Sequence, residues 1–180
     1  LLRRLQAGDE EGLARLIDRY GEPLMQYLYS ILRDRDAAED LFQDTWVRVA
    51  RKIREFDLER PFAPWLFRVA RNGAYDRLRR SRKLLPLDEP VLRTRADPAF
   101  DGTTAADRLA AGDLVARLLP RLEPDAREIL HLRFLRECSY EEIAEICGIP
   151  LGTVKSRLRR ALDQMGALYE RLEARHDDER

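Results

Sequence analysis

The sequence has 180 residues, the length of one or two small domains. Its 33 basic and 33 acidic side chains balance, and 44% of the residues are hydrophobic, which is enough to build compact cores. No apolar run approaches the roughly 18 residues that a transmembrane helix needs, and two cysteines cannot form a disulfide framework. The composition therefore predicts a cytoplasmic chain with no membrane insertion.

The balanced total conceals blocks of opposite charge. Residues 36–44 contain four acids and no base, whereas residues 66–83 contain seven bases and one acid. A second basic block, residues 151–160, has four bases and no acid. Basic blocks of this kind are typical of surfaces that bind nucleic acid, so a partner of that class is predicted despite the zero net charge.

Residues 1–83 show helical periodicity almost throughout. Asp9 can cap a first helix, which is predicted to end near Gly21. A second helix is predicted to run to about Leu32.

A capping box predicts where the third helix begins. Asp36 is followed three residues later by Glu39, and the helix is predicted to run to about Phe56. Residues 57–61 are predicted to form a turn, and a fourth helix follows to about Arg82.

The periodicity fails between residues 84 and 107, where three prolines, one glycine and three threonines interrupt it. A stretch this long is unusual for a loop inside one domain, and it contains five acids and two bases. We therefore predict an all-α protein of two small helical domains, residues 1–83 and 108–175, joined by a flexible acidic linker at 84–107. The tail, residues 176–180, matches no motif.

A helix-turn-helix is predicted in the second domain. Ser139 and Glu142 form a capping box that opens a short helix, and Gly148 has the residue type that ends one. A longer helix is predicted from about Leu151 to Glu170, with an apolar stripe on one side. That stripe consists of Val154, Leu158, Ala161, Leu162 and Met165.

The opposite side of this longer helix is predicted to carry Ser156, Arg159 and Arg160, with Lys155 and Arg157 on the flanks. Such a helix can pack by one side while the other contacts phosphates and base edges in a major groove. The alternative is an ordinary amphipathic helix with a solvated basic face.

The fourth helix carries a mixed stripe of cationic, amide and aromatic residues. Its members follow one another at spacings of 3, 4, 3 and 4, so they share one face: Trp65, Arg68, Asn72, Tyr75 and Arg79. Cations can hold a nucleic-acid backbone while aromatic rings and an amide meet unstacked bases. The alternative is a solvated charged face with Trp65 packed in the core.

The outward side of the third helix is acidic around one valine. It carries Asp36, Asp40, Gln43, Asp44 and Val47. DNA would repel this surface, so we predict that it faces a protein. The alternative is that its acids cap the helix or only solubilise it.

Other functional classes fit the sequence less well. A helical carboxylate metal site could use Glu39, Asp40 and Asp44, but no Glu-x-x-His motif accompanies them. Cys138, Cys147 and His131 could form a metal or redox cluster, but we favour a small core cysteine on the helix-turn-helix and an unrelated surface histidine. No phosphate-binding glycine loop or catalytic-triad spacing is present. We therefore predict no enzyme, no metal and no cofactor.

Three segments together resemble a known family. They are Asp-Leu-Phe-Gln-Asp-Thr-Trp at residues 40–46, Pro-Trp-Leu-Phe-Arg-Val-Ala-Arg-Asn at 64–72, and the segment 139–158 from Ser-Tyr-Glu-Glu-Ile-Ala to Val-Lys-Ser-Arg-Leu. In this order they resemble a bacterial RNA polymerase sigma factor of the extracytoplasmic-function (ECF) group. The resemblance covers nearly the whole chain, and it implies that the chain binds core polymerase and directs promoter-specific initiation.

The resemblance also implies roles for individual residues. Docking on the clamp helices of the polymerase would fall to Asp40, Gln43, Asp44 and Val47. Recognition of the minus-ten element would fall to Phe56, Arg60, Trp65, Arg68, Arg71, Asn72, Tyr75, Arg79 and Arg80, with Arg77 on the same basic surface. Recognition of the minus-thirty-five element would fall to Thr153, Lys155, Ser156, Arg159 and Arg160.

Core RNA polymerase, through its clamp helices and flap, and promoter DNA are thus the predicted partners, and an anti-sigma factor is a further candidate. The acidic linker resembles the segment that sigma factors thread through the polymerase channel. The alternative function is a stand-alone helix-turn-helix regulator, which would leave the mixed stripe and the acidic surface without a role.

Overall fold

The computed structural model of the chain describes residues 1–6, 8–83 and 118–178. Throughout these ranges the secondary structure is helical and contains no strand, which confirms the all-α prediction. The chain divides into two compact units. For description, the residues up to 83 are called the N-terminal unit and the residues from 118 the C-terminal unit. The predicted linker at 84–107 lies outside the described residues.

The N-terminal unit contains four α-helices and one 3-10 turn. The helices are α1 (Leu2–Gln6), α2 (Glu10–Leu32), α3 (Arg35–Lys52) and α4 (Phe62–Lys83), and the 3-10 turn is Ile53–Glu55. Helices α2, α3 and α4 all contact one another, and the core lies between them. Its fully buried side chains include Leu24, Leu28, Ile31, Leu41, Val49 and Leu66.

The predicted break at Gly21 is wrong, because α2 continues through Gly21 and Pro23. Gly21 is buried, and a Cβ at this position would lie 3.6 Å from the Phe42 ring. The glycine therefore lies inside α2 at ordinary packing distance from Phe42, and it does not end the helix. Burial of Leu24 and Ile31 further along offsets the hydrogen bond that Pro23 cannot donate.

The predicted capping box at the start of α3 is also wrong. Asp34 is the N-cap, and its carboxylate accepts a hydrogen bond from the Ala37 main-chain N–H at 3.0 Å. Glu39 instead pairs with Arg35 across one helical turn, at 2.8 Å. Asp34 has the extended backbone that an N-cap needs, because Arg33 ends α2 in the left-handed conformation directly before it.

The C-terminal unit begins with a 3-10 turn, Leu119–Arg121, and α5 (Pro124–Leu130), which opens on a proline as predicted. A π-helical turn, His131–Leu135, follows α5. The remaining helices are α6 (Tyr140–Cys147) and α7 (Leu151–Asp178).

The helix-turn-helix prediction is confirmed in detail. The Ser139 hydroxyl accepts from the Glu142 N–H at 3.1 Å, and the Glu142 carboxylate accepts from the Ser139 N–H at 2.8 Å. This reciprocal pair is a capping box. Gly148 has a φ of +65°, the left-handed conformation that ends α6. Helix α7 begins at Leu151 as predicted but continues eight residues beyond the predicted end, to Asp178.

Candidate polymerase and nucleic-acid interfaces

Helix α3 presents the predicted acidic surface. Asp40, Gln43, Asp44 and Val47 are all exposed, and the Val47 residue has 49% of its surface accessible, an unusual value for a large apolar residue. The other side of α3 buries Ala38, Leu41, Thr45, Trp46 and Val49. Packing therefore fixes which side of α3 faces outward, and that side combines negative charge with a central apolar contact.

Arg77 of α4 lies against this acidic surface. Its guanidinium donates to the main-chain oxygen of Ala37 at 3.0 Å, and it lies 3.4 Å from the Asp44 carboxylate and 3.8 Å from that of Asp40. Its expected membership of the basic surface of α4 is therefore wrong. Helix periodicity does not reveal this, because a long side chain can reach across to a neighbouring helix.

The turn at residues 56–62 has a defined local geometry. The Phe56 N–H donates to the Ile53 carbonyl at 3.1 Å, and the Arg60 N–H donates to the Asp57 carbonyl at 3.1 Å. The Asp57 side chain also accepts from the Glu59 N–H at 3.0 Å. An aspartate that bonds the backbone two residues on is a common way to fix a turn.

Aromatic rings pack where this turn meets α4. The Phe56 and Trp65 ring centroids lie 4.8 Å apart, and Phe62 lies 5.9 Å from Phe56 and 5.6 Å from Trp65. Phe56 and Phe62 are buried, whereas Trp65 is half-buried. Phe56 therefore presents little surface of its own, and Trp65 is the ring with an accessible face.

The mixed stripe of α4 is present. Arg68, Asn72, Arg79 and Arg80 are exposed, as is Arg60 in the preceding turn. Tyr75 of the stripe is half-buried and packs with half-buried Arg71, another residue of the predicted minus-ten set, with the guanidinium carbon 4.3 Å from the ring centroid. This cation–π contact holds a positive charge beside an aromatic edge. The stripe thus offers charge, an amide and aromatic surface on one side of α4.

The closest approach of α3 and α4 lies at Gly73, beside Asn72. A Cβ added to Gly73 would lie 2.6 Å from Leu41 Cδ1, which is a clash. The absence of a side chain at Gly73 therefore allows α4 to pack directly on α3. This contact fixes the side of α4 that faces outward.

Helix α7 has the predicted division between a packed and a basic side. Val154, Leu158, Ala161 and Met165 are buried. Arg159 is exposed, and three more predicted DNA-contacting residues are half-buried: Thr153, Lys155 and Arg160. Arg157 lies 3.7 Å from Asp125 of α5, which places that cation within the unit.

The outward orientation predicted for Ser156 is wrong. Ser156 is buried, and its hydroxyl donates to the Thr153 carbonyl at 3.1 Å. A serine side chain is short enough to fold back on the preceding turn, and the residues one turn ahead of it on the same face are Arg159 and Arg160. The long cations therefore form the outer surface, and Ser156 lies beneath it.

One cationic cluster escaped the sequence analysis. The Tyr140 ring has the Arg133 guanidinium carbon 5.0 Å from its centroid and the Lys155 Nζ 5.9 Å from it. Arg133 also donates to the Cys138 carbonyl at 3.1 Å. Arg133 and Tyr140 are seven positions apart, and the helical period is broken because Arg133 lies in the π-helical turn, which ends at Leu135 before α6 begins, so no sequence pattern links the two.

His131 and Cys138 do not form a reactive site. His131 is buried, contrary to the predicted surface position, because the π-helical turn directs it inward. Burial, with a smaller contribution from Arg136, lowers the pKa of His131 to about 4. Burial also raises the pKa of the Cys138 thiol to about 11, so this thiol stays protonated and unreactive at neutral pH.

Within residues 1–6, 8–83 and 118–178, no cluster of three or more His, Cys, Asp or Glu side chains could hold a metal ion. Every helix in the same part of the chain is too short or too polar to cross a bilayer.

Comparison with known proteins identifies both units. Residues 16–84 match the family model described as Sigma-70 region 2, and residues 112–165 match the one described as Sigma-70, region 4. The ECF RNA polymerase sigma factor SigW of Bacillus subtilis (strain 168) is 30% identical over 172 residues, which cover 91% of this chain and 92% of SigW. No finding favours the alternative of a stand-alone regulator, which would not account for the region 2 match.

Two solved structures have a similar fold, each with a TM-score of 0.66. One is CnrH in complex with the cytosolic domain of CnrY, at 25% identity and with 94% of each chain covered. The other is the sigma factor RpoE in complex with the anti-sigma factor NepR from Bartonella quintana, at 28% identity, covering 89% of this chain and 98% of that one. The chain therefore belongs to the ECF RNA polymerase sigma factors, which bind core RNA polymerase and direct promoter-specific transcription initiation.

Proposed function

We propose that this sigma factor docks on core polymerase through α3, holds the minus-ten element with the 56–62 turn and α4, and reads the minus-thirty-five element with α7. One observation carries the proposal: α3 and α4 pack in one unit and expose different surfaces, although α3 also exposes Arg48, Arg51 and Lys52 towards its C-terminal end. Helix α3 exposes Asp40 and Asp44 around Val47, whereas α4 exposes cations and an amide. A DNA backbone is repelled by the first surface and attracted by the second.

Polymerase docking through α3 would use both the charge and the apolar centre of the surface. Exposed Val47 offers a contact that excludes water, and Gln43 and Asp44 can bond to donors around it. The clamp helices of the polymerase would supply the positive partner. Charge complementarity of this kind steers association and rejects wrong partners.

Co-purification with core polymerase tests the docking surface. Asp44→Lys should abolish co-purification, whereas Asp18→Lys, an equal charge change at an exposed position of α2, should leave it intact. A chain with Asp44→Lys that still initiates at the normal level would remove α3 from the interface.

The minus-ten proposal assigns the melted strand to the turn and α4. Exposed Arg68, Arg79 and Arg80 would hold its backbone, and the half-buried Trp65 ring would meet an unstacked base beside Asn72. Phe56 would act from beneath, by packing on Trp65 at 4.8 Å. Unstacking a base costs a few kcal/mol, and contacts to the extruded base offset that cost.

Promoter melting tests this assignment directly. With core polymerase, Asn72→Ala should reduce the permanganate reactivity of thymines on a duplex promoter. On a template with a pre-melted bubble, that reactivity should recover. Gln26→Ala, which alters an exposed amide on α2, should do neither. If the wild-type chain and core polymerase never yield reactive thymines on any template that they bind, the initiation mechanism proposed here is excluded.

The minus-thirty-five proposal assigns duplex recognition to the outer side of α7. Arg159 and Arg160 are the cations best placed for base edges, and Lys155 lies close enough to Tyr140 to share a phosphate-facing surface with Arg133. Ser156 would support this surface from within instead of contacting a base.

Regulation and location complete the proposal. RpoE of Bartonella quintana forms a complex with the anti-sigma factor NepR, and by similarity we expect an anti-sigma factor to hold this chain away from polymerase. We expect the chain to work in the cytoplasm, without a catalytic activity of its own, because sigma factors direct a reaction that the polymerase performs. Transcription from a genomic library by core polymerase with this chain would identify its promoters.

A further inference from the structure

Helix α1 supports the 56–62 turn from outside the segment that matches sigma-70 region 2. The Gln6 side-chain Nε2 donates to the main-chain oxygens of Ile53, at 2.8 Å, and Phe56, at 2.7 Å. These bonds join residues 47 and 50 positions apart, and Gln6 is half-buried. One amide group thus connects the start of the chain to the start of the turn.

Helix α1 is anchored on α2 as well as on the 3-10 turn Ile53–Glu55. Leu5 is buried against Gly12, where an added Cβ would lie 3.2 Å from the Leu5 main-chain nitrogen. Arg4 pairs with Asp9 at 2.6 Å and with Glu11 at 2.9 Å. The Gln6 amide is therefore presented by an element that has its own anchors.

The Phe56 carbonyl needs this donor. Phe56 ends the 3-10 turn with an extended backbone, φ −73° and ψ 128°, so its carbonyl points away from any helical N–H. The Ile53 carbonyl already accepts from the Phe56 N–H at 3.1 Å, and Gln6 brings a second donor to it. Both hydrogen bonds restrain the backbone at the point where Phe56 enters the turn.

We propose that Gln6 is a positioning residue for minus-ten recognition, which sets the backbone at Phe56 so that the 56–62 turn holds one shape. This inference rests on the proposed function of that turn. Gln6 acts through Phe56, whose ring packs on Trp65 and Phe62, and it need not touch DNA itself. Loss of the two Gln6 hydrogen bonds should therefore reduce the preference between bases more than it reduces the overall affinity for minus-ten DNA.

The test uses the full chain with core polymerase on fork-junction promoter DNA in which one unpaired minus-ten base is varied through all four bases. Gln6→Met keeps the side-chain length but removes the donor. It should reduce the preference between the best and worst base by up to about tenfold, the fold-change that corresponds to the roughly 1.4 kcal/mol that a lost hydrogen bond can cost. Gln26→Met is the matched control, since the Gln26 amide is exposed and donates only to Glu22 of its own helix, and it should change nothing.

Amide hydrogen exchange in the free chain provides a second, independent measurement of the restraint on the turn. Gln6→Met should speed exchange at residues 54–60 and leave the core of α2 unchanged; Gln6→Asn, one methylene shorter, serves if Gln6→Met does not fold. Asn72→Ala is the positive control and should flatten the base preference. If it does, and Gln6→Met either weakens binding equally on all four bases or leaves the preference unchanged, the inference about Gln6 is overturned. If Asn72→Ala also leaves the preference intact, the proposed role of the turn fails as well.

Discussion

The two units bury polar groups in different ways. Among the described residues of the N-terminal unit, the buried hydroxyls of Ser30 and Thr45 each donate at 2.7 Å to a carbonyl of their own helix. The described part of the C-terminal unit buries one such hydroxyl, that of Ser156, but it also buries Arg127, Glu128 and His131, whose side chains can carry charge. A hydroxyl bonded within its helix is insensitive to pH, whereas a buried ionisable group ties stability to its protonation state.

The units also distribute packing and binding differently. The N-terminal unit separates its two proposed binding surfaces onto α3 and α4, with Arg77 connecting them. In the C-terminal unit α7 performs both tasks, packing by one side and presenting cations on the other. On α7, a substitution should therefore affect either stability or binding according to the face it lies on. In the N-terminal unit, the helix that carries the substitution should decide which binding surface is affected.

The largest expected effect is a core truncation in α7. Leu158 is buried, so Leu158→Ala should reduce the free energy of unfolding of the C-terminal unit by about 2–5 kcal/mol. Hydrogen exchange resolved by segment can measure this for residues 118–178. Both tryptophans, Trp46 and Trp65, lie in the N-terminal unit, so an unchanged fluorescence transition in urea is the internal control. Equal destabilisation of both units would show that they do not unfold independently.

The second largest effect is a pH dependence of the free energy of unfolding, which we expect for the C-terminal unit because of His131 and not for the N-terminal unit. The pKa of His131 is about 4 in the folded chain, against an ordinary value of 6.5, because burial disfavours the charged ring. Between these values the unfolded chain binds a proton that the folded chain does not. The free energy of unfolding of the C-terminal unit should therefore fall as pH drops from about 6.5 towards 4, by about 3 kcal/mol.

The measurement compares wild type with His131→Leu by segment-resolved exchange at pH 7 and pH 5, so that carboxylate effects common to both chains cancel. The N-terminal unit contains no histidine and should show no difference between the two chains. A wild-type C-terminal unit that matches His131→Leu at both pH values would contradict the buried, neutral state of this histidine.

Local chemistry explains what the sequence could predict. The Ser139 and Glu142 box, the Gly148 stop and the apolar stripe of α7 depend on residues within a turn or two of one another. The predicted helix break at Gly21 is wrong because the packing of α2 on α3 and α4, which a local pattern does not contain, overrides the low helix propensity of glycine. The contacts of Arg77 and Gln6 could not be predicted for the same reason, because their partners lie 33 to 50 residues away.

The next effect tests the binding side of α7. Arg160→Ala should weaken promoter binding by about 1–3 kcal/mol if Arg160 makes a good base contact. The unfolding of the C-terminal unit should remain nearly unchanged, because Arg160 is only half-buried. A pre-melted bubble should not rescue this variant, since its duplex contact lies upstream of the melted region. Loss of folding with intact binding would reverse the assignment of the two faces.

The smallest effect concerns the contact between the two surfaces of the N-terminal unit. Arg77→Met removes the donor to the Ala37 carbonyl and the cation beside Asp44, while its methylenes can still pack on α3. A hydrogen bond of this kind contributes about 1 kcal/mol, and the partly exposed ion pairs add little. Tryptophan fluorescence in urea should therefore show the N-terminal unit destabilised by about 1 kcal/mol.

Arg79→Met is the matched control, because Arg79 is also on α4 but is exposed and pairs with Asp76 of its own helix. If Arg79 contacts a phosphate, its loss should reduce the salt slope of holoenzyme binding to single-stranded minus-ten DNA by about 1. Arg77→Met should leave that slope unchanged, because its cation faces the carboxylates of α3 and not the outward side of α4. If Arg77→Met instead lowers the salt slope of DNA binding and leaves the stability of the N-terminal unit unchanged, Arg77 belongs to the DNA surface. The contact between α3 and α4 would then depend on apolar packing at Gly73.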